Sequence, residues 1–390
     1  MTRYGYRPVH ALTERAAAWL ASMAPRAASV AIGEIPRKVL AIKFGGLGDG
    51  AIVRSLLECF RTLHPEIEVD VLVDQKTREV MSCASGAKVW FYNSRSDGLG
   101  RSIRLLQAVR RAGYGAAVDF EQHSVLTASF AWAAGIPIRI GLAPPGANSR
   151  LKLLTHPVEF REGDSMWSAM AALLRVLDPN LPGLAAAKPI PCGQEAAAWG
   201  RKWLDARSAG KQSRLVAIHL GVGPRARYRQ WPLPRFVELA EIIRRKDSNL
   251  RILLTGGANE EPLAREFAAR YRGDSFDATA VGSVELTGAL LSQSDLLICS
   301  DTGVMHLGAA LGVPTVGLFG PNTPRCWGPV GPRAAYVYKT RLKCSPCIDS
   351  YRRIIPDACV AEEWGRCMLD IAADDVMDAA RRVIAGNWLD

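Results

Sequence analysis

The sequence predicts a two-domain α/β chain, each half a doubly wound parallel sheet. Three observations carry that expectation. Short apolar runs alternate with amphipathic helical stretches, as a parallel sheet covered on both faces requires. The alternation begins at Lys38 and restarts at Leu215, after a Pro-, Gly- and Ala-rich stretch running from Asp178 to Gly193. At 390 residues the chain has room for two domains of ordinary size. The expected divisions are a helical extension over 1–36, a first domain over 37–190 and a second over 191–372. A final helix over 373–390 is expected to cross back onto the first domain.

Composition narrows the function classes. With 48% hydrophobic and 22% charged residues the chain is globular throughout. A net charge of +11 points to an anionic partner: nucleic acid, an acidic membrane surface or a phosphorylated substrate. Only 7% of residues are aromatic, which argues against a stacking platform for single strands, so nucleic acid is not expected. No apolar run reaches the roughly 18 to 20 residues of a membrane span. Glu14, Arg15 and Arg26 interrupt the apolar N-terminal segment, which is therefore not read as a signal peptide. Five of the nine cysteines (59, 83, 192, 299 and 326) are dispersed in apolar segments and read as reduced core residues, which makes the cytoplasm the expected compartment.

In the extension, Leu12, Ala16, Trp19, Leu20 and Met23 recur at helical spacing. This is either a helix packed on the body or a basic amphipathic segment lying on an anionic membrane. The strand Lys38 to Lys43 is followed by Phe44-Gly45-Gly46-Leu47-Gly48-Asp49-Gly50, a helix from Ala51 to Leu63 and a strand from Val69 to Val73. The glycine spacing does not match a dinucleotide fingerprint, and an acid stands where phosphate would approach. The turn instead brings a substrate close to Asp49, a carboxylate placed to accept a proton from an attacking hydroxyl.

Val89 to Phe91 is short and apolar, Gly100 to Arg111 is helical and Ala116 to Phe120 is a strand. Asp119, Glu121 and Ser124 follow at its carboxyl end, where open sheets bind ligands; they read equally well as helix-capping groups. Pro144 to Ser165 is loop-like, a candidate acceptor loop, and Met166 to Leu177 is helical.

In the second half, the strand Leu215 to Leu220 ends in a glycine turn. A basic loop, Arg225 to Arg229, then leads to Trp231-Pro232 and a helix from Pro234 to Arg244. On its residues alone this basic loop, which ends at Arg229, reads as solvated. After the strand Arg251 to Leu254 comes Thr255-Gly256-Gly257-Ala258-Asn259-Glu260-Glu261, a glycine turn followed by two acids. A turn and helix from Val281 to Gln293 precede the most informative stretch, Leu296 to Pro324. There a buried strand, Leu296 to Cys299, runs into Asp301-Thr302-Gly303, a short helix carrying His306 and a second strand from Thr315 to Phe319. The amides at Thr302 and Gly303 and the helix dipole favour a phosphate, with His306 as an added donor, while Asp301 suits sugar hydroxyls or simply caps the helix. Asp374 to Ala385 is a last amphipathic helix. In the tail, Cys344, Cys347, Cys359 and Cys367 could hold a structural zinc or iron through four sulfurs, or remain reduced thiols.

The combination of Asp301-Thr302-Gly303, Leu318-Phe319-Gly320-Pro321, Gly328-Pro329 and the early Leu47-Gly48-Asp49 resembles the heptosyltransferase family of glycosyltransferases, family 9. The resemblance covers residues 37 to 385. It implies the GT-B fold, two Rossmann-like domains facing across a cleft. It also implies inverting sugar transfer with no cofactor required for catalysis. Asp49 would be the catalytic base, with Gly48, Arg54, Glu121 and Ser124 toward the acceptor. Arg229, Glu260, Asp301, Thr302, Gly303 and His306 would bind the donor. Two departures stand out: Arg54-Ser55 where many members have Thr-Pro, and Arg229 offset by Gln230 from the usual lysine position before Trp-Pro. Implied partners are a nucleotide diphosphate sugar, ADP-heptose before others, and a saccharide acceptor such as lipopolysaccharide core at the cytoplasmic membrane face. Another nucleotide sugar, a protein acceptor, or a non-catalytic sugar- or nucleotide-binding role would use the same fold.

Overall fold

In the computed structural model the chain folds as two units, one spanning 4–187 and one from 188 to 390. The structure describes residues 8–389 apart from 82–86, 94–96, 145, 147, 183–188, 209–213, 224–226, 340–341, 350, 352–353, 362 and 387. Cys83, most of the expected linker, Arg225 of the basic loop and the pair Arg352-Arg353 lie outside the described residues.

The N-terminal unit opens with α1 (Pro8–Met23), followed by β1 (Lys38–Lys43), α2 (Leu47–Leu63), β2 (Glu68–Val73) and α3 (Gln75–Met81). β3 (Val89–Phe91), α4 (Leu99–Ala112), β4 (Ala116–Asp119) and α5 (Val125–Ala133) continue the alternation. β5 (Ile138–Ala143), α6 (Asn148–Leu153), β6 (His156–Glu159) and α7 (Met166–Arg175) complete it. All pairings are parallel, in the order β3-β2-β1-β4-β5-β6. The chain reverses its winding between β1 and β4, and crevices at such switch points are where doubly wound sheets bind ligands. Register sets Ile42 of β1 opposite Asp119 of β4. The turns after Lys43 and after Asp119 therefore emerge side by side.

The C-terminal unit repeats the plan. It comprises α8 (Gln194–Ser208), β7 (Leu215–His219), α9 (Leu233–Lys246), β8 (Arg251–Thr255), α10 (Glu261–Arg270) and β9 (Asp274–Ala278). Next come α11 (Val284–Leu291), β10 (Leu296–Ser300), α12 (Gly303–Ala310), β11 (Thr315–Phe319) and α13 (Pro324–Trp327). β12 (Ala334–Tyr338), α14 (Arg366–Leu369) and α15 (Ala373–Val383) close the chain. Its sheet is also parallel, in the order β12-β11-β10-β7-β8-β9, which places the switch point between β7 and β10. β7, β10 and β11 are buried along their whole length, which explains their unbroken apolar sequences.

Two expectations are corrected. The segment 144–165 is not a plain loop: it contains α6 and β6, and α6 turns Arg150 into the core. Among the described residues, Ala17 and Ala21 of α1 and Ala24 just after it are buried, while Trp19 is 63% and Met23 58% exposed, so part of the expected apolar stripe faces outward. Small residues let α1 approach α5 and α6 closely, which a stripe of large side chains would prevent. Within its own unit, α15 packs on α9, β11 and β12. Its Val376, Met377, Ala380 and Val383 join the core built on Trp231, Phe236 and Phe267.

Candidate active site

At the N-terminal switch point the sequence dictates a tight approach. Gly45 and Gly46 turn with φ of 66° and 77° into α2, whose first turn carries Asp49. A Cβ on Gly46 would sit 3.1 Å from the Asp49 carboxyl carbon, so both its backbone conformation and this contact call for glycine. Asp49 remains 22% exposed at the mouth of the turn. Behind it Lys43, the last residue of β1, is buried and lies 3.1 Å from Asp49 Oδ2.

The same ammonium is paired with Glu121 Oε1 and donates to the carbonyl of Phe44 at 3.0 Å. The Phe44 amide also donates to Glu121 Oε1, at 3.0 Å. Burial lowers the Lys43 pKa, but Glu121 and Asp49 more than offset it and hold the amine charged. For Glu121, burial pushes its carboxyl up to about 7, against the pull of Lys43 and with help from Asp119 and Asp49.

A second, deeper pair supports this one. Asp119 receives hydrogen bonds from Arg150 at 2.7 Å, from Thr127 at 2.8 Å and from the Glu121 amide at 3.0 Å. Arg150, fully buried, also donates to the carbonyls of Leu142 and Glu121. The sequence reading missed Lys43 and Arg150. A lysine ending an apolar strand was a signal for the first; Arg150 gave none.

The expected acceptor residues divide. Glu121 stands beside Asp49 through Lys43. Arg54 is buried, with Nη1 on the carbonyl of Val80, and ties α2 to the end of α3. Gly48 is buried in the first turn of α2. Ser124 is buried at the N-terminus of α5 and donates to Glu14 of α1 at 2.5 Å. Glu14 also accepts from the amides of Val125 and Leu126 at 2.9 and 3.2 Å. The Glu14 carboxylate therefore sits at the N-terminus of α5.

At the carboxyl edge of the C-terminal sheet the expected donor residues follow three strands, β7, β8 and β10. Asp301, after β10, accepts from Asn322 Nδ2 at 2.9 Å and lies 3.5 Å from Arg229 Nη1. It does not cap α12: Thr302 holds that position, without a side-chain cap bond, and Gly303 begins the helix. His306 is buried with its ring edge-on to Trp327, centroids 6.1 Å apart. Glu260 accepts from the Gly257 amide at 2.8 Å and lies across the glycine turns. A Cβ at Gly221 would come within 2.9 Å of its carboxyl carbon. Glu261 instead opens α10, so Glu260 is the acid turned onto the sheet edge. Unforeseen here is His219, buried at the end of β7 with Nδ1 3.0 Å from the Thr255 hydroxyl; burial lowers its pKa to about 4 and keeps it neutral.

Cys344, Cys347, Cys359 and Cys367 are free. Burial pushes the Cys367 thiol up to about 12, and the other three sulfurs add to the shift, so the four share one region. Among the described residues, however, no group of three or more His, Cys, Asp or Glu is drawn together as a metal-binding set. Neither are any of their helices long and apolar enough to cross a membrane.

The model of the family described as glycosyltransferase family 9 (heptosyltransferase) matches residues 102–354, more than half of the chain. The chain belongs to glycosyltransferase family 9. A relative, lipopolysaccharide heptosyltransferase 1 of Pseudomonas aeruginosa, is 34% identical over 122 residues, 31% of this chain and 33% of that protein. That match therefore spans about a third of the relative's length. Among solved structures, a family 9 glycosyl transferase from Veillonella parvula superposes with a TM-score of 0.70 at 20% identity, covering 89% of this chain and 97% of the other. The ADP-heptose LPS heptosyltransferase II of Escherichia coli gives 0.68 at 19% identity, covering 89% and 98%. These likenesses establish the two-domain GT-B fold of this family 9 chain.

Proposed function

We propose that this family 9 chain is an inverting heptosyltransferase that moves a heptose from ADP-heptose to a saccharide acceptor such as lipopolysaccharide core. Asp49 takes the proton of the acceptor hydroxyl, whose oxygen then forms a bond to the anomeric carbon from the face opposite the departing diphosphate. The observation that carries this reading is the place of Asp49, at the mouth of the glycine turn on the sheet's switch point and 3.1 Å from the buried Lys43 ammonium.

In the C-terminal unit Glu260 binds the ribose hydroxyls and Asp301 the transferred sugar. Arg229, the amides at Thr302 and Gly303, and His306 neutralise the leaving diphosphate, so that the protein itself supplies the stabilising charge. The pair with Asp301 fixes the Arg229 fork, and its remaining N–H groups serve the phosphate.

The acceptor would be met at the cytoplasmic face of the inner membrane. Support for peripheral contact comes from α1, where Arg15, Trp19 and Met23 are exposed and fall at the i, i+4, i+8 spacing of one helix face. A structural zinc or iron on the four tail cysteines belongs to the same proposal. Their shared region supports it, and the sulfurs would close around the metal to order the tail.

Calorimetric titration with ADP, UDP, GDP and CDP tests the donor. ADP alone should bind tightly, and ADP-heptose should then support transfer to a lipopolysaccharide acceptor. Preference for UDP or GDP would remove heptose from the proposal. Asp49→Asn should keep donor affinity and lose roughly 10²- to 10⁴-fold in turnover; transfer at the wild-type rate would remove Asp49 as the base. Metal analysis of the purified protein decides the cysteine question: less than a stoichiometric metal would discard the site.

A further inference from the structure

The base is not isolated. One buried ammonium, Lys43, lies between two carboxylates, Asp49 in the first turn of α2 and Glu121 just after β4. Glu121 is fixed from three sides. The Phe44 amide holds its side chain, and its own amide and carbonyl are tied to Asp119 and Arg150. Its side chain is only 13% exposed, so this carboxylate is built into the wall beside the reacting group and is poorly placed to reach a bulky acceptor.

We propose that Glu121 is a positioning residue for Asp49, acting through Lys43: the two carboxylates share one ammonium, and Glu121 takes over the pair when Asp49 accepts the acceptor's proton. The inference rests on the reading of Asp49 as the base. In the step concerned the acceptor O–H bond breaks and its proton passes to an Asp49 oxygen. The oxygen's electron pair forms the bond to the anomeric carbon, and the bond from that carbon to the diphosphate breaks, its pair leaving with the phosphate.

Protonating Asp49 removes the countercharge from a buried ammonium, which is costly when nothing else faces it. An ionised Glu121 keeps Lys43 paired throughout, so the proton can move without stranding the charge. When Glu121 is protonated, Lys43 has only Asp49 as a countercharge and is left unpaired by the transfer. The other charged groups around Glu121 are Asp119, at the end of β4, and Arg150 of α6, which neutralise one another at 2.7 Å. Burial pushes Glu121 up to about 7, so its ionised form is lost as pH falls through neutrality.

The test is the pH dependence of kcat for wild type and Glu121→Gln with saturating donor and acceptor. The wild-type rate should rise with pH along a limb centred near 7. Glu121→Gln should lose that limb and fall about tenfold or more at pH 8, because the transfer then leaves the buried ammonium unpaired. Its donor KM should be unchanged. Glu121→Asp should restore a limb, displaced in pH, which a role in packing alone does not predict.

A wild-type profile flat from pH 5.5 to 8.5 overturns the proposal without any variant, so a Gln variant that fails to fold leaves it falsifiable. Retention of the limb in Glu121→Gln, or activity within twofold of wild type, overturns it as well. If Asp49→Asn is inactive while Glu121→Gln is normal, this inference falls and the reading of the base stands. Full turnover in Asp49→Asn removes both.

Discussion

Arg150 Nη1 donates to Asp119 Oδ2 at 2.7 Å, and both side chains are sealed from solvent. This pair anchors the turn that carries Glu121, since the same guanidinium also holds the Glu121 carbonyl. Breaking a buried ion pair from one side leaves an uncompensated charge. Arg150→Met should therefore cost the N-terminal unit about 3–5 kcal/mol, read from urea denaturation. The double variant with Asp119→Leu should recover much of that loss. A single variant within about 1 kcal/mol of wild type would show that the pair does not hold the turn.

Glu14 caps α5 from another helix by accepting two backbone amides and the Ser124 hydroxyl. Glu14→Ala should destabilise the docking of α1 by about 1 kcal/mol, the scale of a lost helix cap. Faster amide hydrogen exchange along Ala17 to Met23 is the expected readout. Unchanged protection there would mean that the alanine contacts alone hold α1.

The acids after β8 can be separated by binding. Because Glu260 lies over the glycine turns at the sheet edge while Glu261 opens α10, Glu260→Gln should weaken ADP and Glu261→Gln should not. Losing one charge-assisted hydrogen bond of about 1.5–3 kcal/mol corresponds to about a 10- to 100-fold rise in Kd. Calorimetry on both variants checks this, and equal losses would leave neither acid singled out.

His219 predicts an acid sensitivity of the C-terminal unit. Burial lowers its pKa to about 4 from an ordinary value near 6.5, so the folded protein binds fewer protons than the unfolded chain between those limits. Stability should be full above pH 6.5 and decline as pH falls toward 4. His219→Asn keeps a partner for Thr255 without the titration. Its unfolding free energy should change less over that window, and an identical pH dependence would place the sensitivity elsewhere.

Much of the fold could be read from the chain because parallel strands covered on both faces must be apolar throughout. Leu215–His219, Leu296–Ser300 and Thr315–Phe319 announce themselves by that alone. β6, His156–Glu159, does not: half of its residues are exposed at the sheet edge, so its polar sequence resembles a loop. Asp49 and Asp301 could be singled out because each follows a glycine-bearing or buried-strand motif that is local in sequence.

What the sequence determined by itself is therefore the set of local units: two rounds of strand, turn and helix, with an acid at the mouth of a turn in each. What only the tertiary structure decided is which distant groups share a charge. Lys43 and Glu121 are 78 residues apart, Ser124 and Glu14 are separated by 110, and Arg150 reaches Asp119 across 31. No periodicity encodes such pairings. They arise because strand order and register bring the ends of β1 and β4 together, and a charge buried there must take whichever partner the fold delivers.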